Sequence, residues 1–230
     1  MQMASADDPR VVLARQLFSR MAPGSLGYEI EAAYTASILQ RNPPIPPRPE
    51  YAPAIKLALV DTRRFVDRMN GTLRVSNLCH ALGIRFARDD GFFRSPQPDP
   101  FCDGGIHFVW AHDGQANLGS PLGFARWRID RSSGEREANV ALGLFLHAEY
   151  PEIVREHHGA HESAWGYAMD LPGSTTRDGL YVATIERGND GWGHRIEERL
   201  DYRRFEPDDS RPQRVSGMVS YWLPEATLRP

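Results

Sequence analysis

The chain has 230 residues, 41% hydrophobic and 25% charged, enough for a soluble domain to bury a core without staples. A formal net charge of −3 excludes a strong global pull toward nucleic acid or anionic membrane, and no apolar run approaches the roughly 18 residues of a membrane span. Cys79 and Cys102, the two cysteines, are too few for a disulfide framework or a four-thiolate zinc site, so free thiols in a cytoplasmic protein are expected.

In chain order, MQMASADDPR lacks the basic and apolar regions of a secretory signal, and none is expected. Residues 9–22 and 28–41 read as amphipathic helices. Val12, Leu13, Leu17 and Met21 recur at helical spacing, with Pro9 at the first helical position and Asp8 as its cap. NPPIPPRPEYAP holds six prolines between Pro43 and Pro53, which predicts a stiff extended connector. Residues 54–69 read as a further helix, residues 76–87 as helix or strand, and residues 89–105, rich in Pro and Gly, as a loop.

The second half changes character. IHFVWA (106–111) has strand composition, followed by a turn signal at Asp113-Gly114. LGFARWRID (122–130) alternates, with Phe124, Arg126, Arg128 and Asp130 on one face. A long helical pattern starts near Glu135. WGYAMDL (165–171) and GLYVATIER (179–187) read as strands joined by PGSTTRD, residues 194–205 as strand or helix, and residues 214–223 as a last strand. The expected fold class is α+β: a helical N-terminal region, then a mainly antiparallel sheet with one long helix packed on a face. The expected division is a helical region with its proline-rich linker over 1–53 and a core domain over 54–230.

Lys56 is the one lysine among 27 basic residues, a bias expected of a GC-rich bacterial genome. It leaves no G-x-x-x-x-G-K-[ST] phosphate loop and no acid-x-Lys pair of the nuclease type. A Schiff base would have to form on Lys56, in what reads as ordinary helix.

PEIVREHHGAHES (151–163) carries His157, His158 and His161. His157 and His161 have the four-residue spacing of zinc ligands in H-E-x-x-H, but His158 stands where the glutamate base belongs. Pro151 and Gly159 punctuate the segment as a helix start and stop, so the favoured reading is two histidines in a last helical turn, near the negative end of the dipole. A metal site on His157 and His161 is the alternative, and no cofactor is expected. His147-Ala148-Glu149 fits part of a facial iron triad with His194, but His147 sits in a helical pattern where that triad needs a barrel rim.

Cys79, His107 and Asn117 occur in the chain order of a papain-like hydrolase or deamidase, in which an imidazole activates the thiol and a third group orients the ring. Against it, NLCHAL is an apolar setting suited to an inert core thiol. Arginines are the other signal. Arg126 and Arg128 share a strand face, and Arg195, Arg199 and Arg203 form an i, i+4, i+8 ridge if their segment is helical. Such rows suit phosphate oxygens, although Glu197, Glu198 and Asp201 are interleaved.

Residues 105–187, with GIHF, FARWRID, the helix-like EREANVALGLFLHAEYPEIVREHHG, WGYAMDL and GLYVATIER, resemble an uncharacterised C-terminal domain of bacterial restriction-associated and defence-type proteins. The resemblance implies association with a nucleic-acid-processing system and assigns no active site. The expected function is an accessory or interaction protein that touches nucleic acid or a protein partner through its arginines, with no membrane association. The rival readings are the Cys79 hydrolase and the histidine metalloenzyme.

Overall fold

The segment VALGLFLHAE is apolar nearly all round, and a helix of that kind has no face to give to water. The computed structural model describes residues 5–21, 28–49, 55–67, 69–94, 99–114, 129, 134–154, 168–189, 196–204 and 216–222. In it these ten residues form helix α4 (Val140–Glu149), and every one of them is buried. Asn139 caps the helix, its side-chain oxygen accepting from the Leu142 amide at 3.0 Å.

The elements around α4 are, in chain order, α1 (Pro9–Met21), α2 (Tyr28–Arg41), β1 (Ile55–Asp61), β2 (Val66–Asp67), β3 (Thr72–Leu73), α3 (Val75–Ala81), β4 (Phe93–Arg94), β5 (Ile106–His112) and β6 (Glu135–Glu137). After α4 come β7 (Ala168–Thr176), β8 (Tyr181–Asn189), β9 (Ile196–Arg204), β10 (Ser216–Met218) and β11 (Ser220–Trp222). One sheet has the order β1-β5-β11-β6 and a second the order β10-β7-β8-β9, with β4 also on β7; β2 and β3 form a separate hairpin. Among the described strands all pairings are antiparallel except β10 with β7, and the single-residue bridge of Arg85 to Arg199 is also parallel.

One stretch of chain runs through both sheets. β10 pairs with β7 and β11 with β5 and β6, so the strand changes sheets at the fully buried Val219. Its amide donates to the Asp170 carbonyl, and its own carbonyl accepts from the Ala138 amide. The fold is α+β, as its sequence pattern predicts. Buried residues of α1 (Leu13, Ala14, Leu17) and α2 (Tyr34, Ile38) belong to the same apolar cluster as α3, α4 and both sheets. Among the described residues no helix is long and apolar enough to cross a membrane.

Three segments differ from their sequence reading. Residues 55–61 are a strand rather than helix: IKLALVD pairs along its length with β5, and a short apolar run does not distinguish a buried strand from a buried helix. Lys56 therefore stands on a strand, its amine 4.8 Å from the Tyr150 ring centroid and 3.5 Å from Glu152. Residues 135–137 are strand β6, and the helix begins only at Asn139. PGST is not a turn: β7 runs through it to Thr176 by a register shift between Leu171 and Thr175. The connector 42–49 forms neither helix nor strand, in keeping with its prolines, and Asn42 ends α2 at φ +43°. It crosses β5, where the Trp110 indole donates to the Pro46 carbonyl at 2.8 Å. The predicted strand 122–130 lies outside the described residues except Ile129, which is helical and buried.

Candidate functional site

The proposed nucleophile, Cys79, is on α3 and 1% exposed. Burial, reinforced by the charge of Asp90, pushes its thiol up to about 12, opposite to what activates a nucleophile. His107 is on β5, its Nε2 2.9 Å from Asp103 Oδ1 and its ring edge-on to Phe101. Among the described contacts it reaches Asp103 and Phe101, not Cys79, and Asn117 lies outside the described residues. Burial and an adjacent carboxylate thus give Cys79 the environment of a core thiol. Native protein treated with iodoacetamide near neutral pH is expected to leave Cys79 unmodified until denaturant is added. Mass spectrometry of the peptide checks this, and rapid native alkylation would contradict it.

The arginine ridge does not form as a helix, because residues 196–204 are strand β9. Arg199 is ion-paired there: its guanidinium is held by the buried Glu186, with Asp201 Oδ2 3.7 Å away. Arg203 stands opposite Val182 in the register. Arg126, Arg128 and Arg195 lie outside the described residues, as do His157 and His161. Among the described residues no three His, Cys, Asp or Glu side chains are grouped to hold a metal ion.

His147 and Glu149 do not converge as facial-triad ligands. Two positions apart on α4, they face different elements. Glu149 is buried and accepts from the Leu59 amide of β1 at 3.0 Å. His147 Nε2 lies 3.1 Å from Glu198 Oε2 of β9, without hydrogen-bonding alignment. Glu198 is bound instead by Arg20 of α1, whose Nε also donates to the Leu82 carbonyl. Burial, then the charges of Arg20 and Arg187, hold the imidazole down to about 3. This is a structural knot tying α1, α4 and β9.

More is built from residues 85–94 and 99–103, where the sequence pattern predicts the end of a helix or strand through residue 87 and a loop over 89–105. Two features flank these residues. The first is a cavity of about 700 Å³ between the β2–β3 hairpin, α3, β4 and the start of α4. Its apolar wall is Leu73, Val75, Phe93 and Val140, and its polar groups include Asp90, Asp99, Asp103, Cys102 and Arg94. Each carboxylate is fixed by local bonds. Asp90 accepts from the Ser76 amide and hydroxyl, both at 2.6 Å. Asp99 accepts from Asn139 Nδ2 at 2.7 Å and the Phe101 amide at 2.9 Å. Asp103 accepts from the Gly105 amide at 2.7 Å. Burial and then the charge of Asp99 push the Cys102 thiol up to about 12.

The second feature is a ladder of rings. Arg85 adds one residue of sheet beside β9, its amide donating to the Glu198 carbonyl and its carbonyl accepting from Leu200, both at 2.9 Å. That anchor brings the following loop over the end of β8 and β9. Phe86 stacks on Phe93 at 6.0 Å, Phe93 meets Phe92 at 5.0 Å, Phe92 meets Tyr202 at 5.3 Å, and Tyr202 meets Tyr181 at 5.1 Å. The Arg88 guanidinium lies over both Phe92 and Tyr202, 5.3 and 5.6 Å from their centroids. Arg94 and Arg177 are exposed beside it, Arg177 donating to the Gly91 carbonyl at 2.9 Å. The sequence signal for this ladder was present in RDDGFFR, where arginines bracket two phenylalanines. Tyr181 and Tyr202 had no such signal, because they come from distant strands.

Comparison of the chain with protein-family models, with curated proteins and with solved structures finds no significant match. The resemblance over residues 105–187 therefore rests on its own residues.

Proposed function

We propose that the protein is an interaction protein that binds single-stranded nucleic acid along the ring ladder of Arg88, Phe92, Tyr202 and Tyr181. The observation that carries this reading is the exposed Arg88 guanidinium lying over two half-buried rings, with Arg94 and Arg177 alongside. Bases stack on aromatic and guanidinium planes without regard to sequence, and guanidinium groups pair with phosphate oxygens. Asp89 and Asp201 lie close by in the chain and limit the local positive charge, which favours stacking over charge as the larger contribution. Of the arginines expected to make nucleic-acid contact, Arg199 is occupied by Glu186, and Arg126, Arg128 and Arg195 lie outside the described residues. Such a module would serve as an accessory in a nucleic-acid-processing assembly, the setting implied by the resemblance to restriction-associated proteins.

Fluorescence anisotropy with a labelled oligothymidylate across a salt series tests the reading. Arg88→Ala is expected to weaken binding about tenfold and to lower the log–log salt slope by about one. Arg88→Lys keeps the charge but loses the planar stack, and is expected to recover the slope without the affinity. Weak, salt-independent binding, or equal affinity for the matching duplex, would remove the reading.

A further inference from the structure

The cavity beside the ladder has a chemistry of its own. A space of about 700 Å³ in a domain of this size is of the order of small-molecule sites, which combine apolar walls with a few fixed polar groups. Here the wall is Leu73, Val75, Phe93 and Val140. The fixed groups are carboxylates whose orientations are set by bonds from different elements: Asp90 by the start of α3, Asp99 by the residue that caps α4, and Asp103 by the turn into β5. Cys102 stands among them, and the Asn70-Gly71 hairpin tip closes over one side, with Gly71 at φ +60°.

We propose that this cavity binds a small ligand consisting of an ammonium or guanidinium group on a short apolar stem. The stem matches the aliphatic and phenyl wall, and the cationic head matches acceptors already oriented before the ligand arrives. Among the described lining residues Arg94 is the one guanidinium, and it is exposed on β4. Asp103, whose Oδ1 also lies 2.9 Å from His107 Nε2, stands at the exposed rim, while Asp90 and Asp99 lie deeper. The inference does not rest on nucleic-acid binding, because no carboxylate of the cavity belongs to the ring ladder.

Calorimetry with butylguanidinium, butylammonium and butyrate, on the intact chain, tests it. The two cations are expected to bind and butyrate to give no heat. Asp103→Asn keeps an acceptor for the Gly105 amide while removing the charge, and its half-exposed side chain makes it a tolerable substitution. It is expected to weaken butylguanidinium about tenfold. A second readout locates the site: butylguanidinium is expected to slow labelling of Cys102 by methyl methanethiosulfonate while Cys79 stays unlabelled. Absence of heat with both cations, or equal binding of butyrate, overturns the proposal. So does butylguanidinium binding that neither protects Cys102 nor responds to Asp103→Asn.

Discussion

Replacing Gly173 by alanine is expected to destabilise the fold by about 2–3 kcal/mol, lowering the urea midpoint with little change in slope. A Cβ at this position would stand 2.6 Å from the Glu137 carbonyl oxygen and 2.9 Å from that of Ala138. Both obstacles are backbone, so no rotamer change relieves them. The close approach is built in, because the Gly173 amide donates to the Ala138 carbonyl at 2.9 Å. Next to it the Ser174 hydroxyl accepts from the Val140 amide, the first of α4. The irregularity in β7 thus docks the start of α4 and sets one wall of the cavity. Gly143 is a useful contrast. Its added Cβ would meet the far end of the Leu171 side chain rather than backbone, and alanine also gains about 1 kcal/mol of helix propensity. Gly143→Ala is therefore expected to cost less than Gly173→Ala. Equal midpoints for Gly173→Ala and the parent chain would mean that β7 does not need this contact.

Acid is expected to unfold the protein through His147, with a loss of several kcal/mol as the pH falls from 6.5 toward 3. The imidazole's folded value lies below its ordinary 6.5. The unfolded chain therefore binds the proton first, and stability is complete above 6.5 and declines below it. His147→Gln is expected to flatten this decline, whatever it costs at neutral pH. Glu149 works in the other direction. Burial raises its carboxyl well above 4.5, against the Leu59 amide that favours the anion. Its contribution is complete below 4.5 and is lost as the pH rises through the raised folded value. Glu149→Gln keeps an acceptor for Leu59 and is expected to stabilise the protein by about 1–3 kcal/mol near pH ~8, with no gain near pH ~4. Thermal melts of the three proteins across this range check both slopes. A parent chain whose stability is flat from 6.5 to 3 would remove the role given to His147.

The sequence by itself determined what depends on local pattern. The two N-terminal helices, the break in regular structure at the proline-rich connector, strands β5, β7 and β8 and the α+β class follow from periodicity, proline chemistry and β-branched composition. So does the core character of Cys79, since an apolar neighbourhood along the chain became an apolar neighbourhood in space. What the tertiary structure decided is everything that depends on a partner far away in the chain. IKLALVD is a strand because β5 offers it a pairing edge, and the ten residues 140–149, apolar except for His147 and Glu149, form a short helix enclosed on every side because two sheets and α1 meet there. Arg199 is engaged because the cross-strand position opposite it holds Glu186. The cavity joins residues from 70 to 174, and the ring ladder joins residues from 86 to 202. No window along the chain contains either one, because side chains distant in sequence become neighbours only when the sheet register sets them side by side.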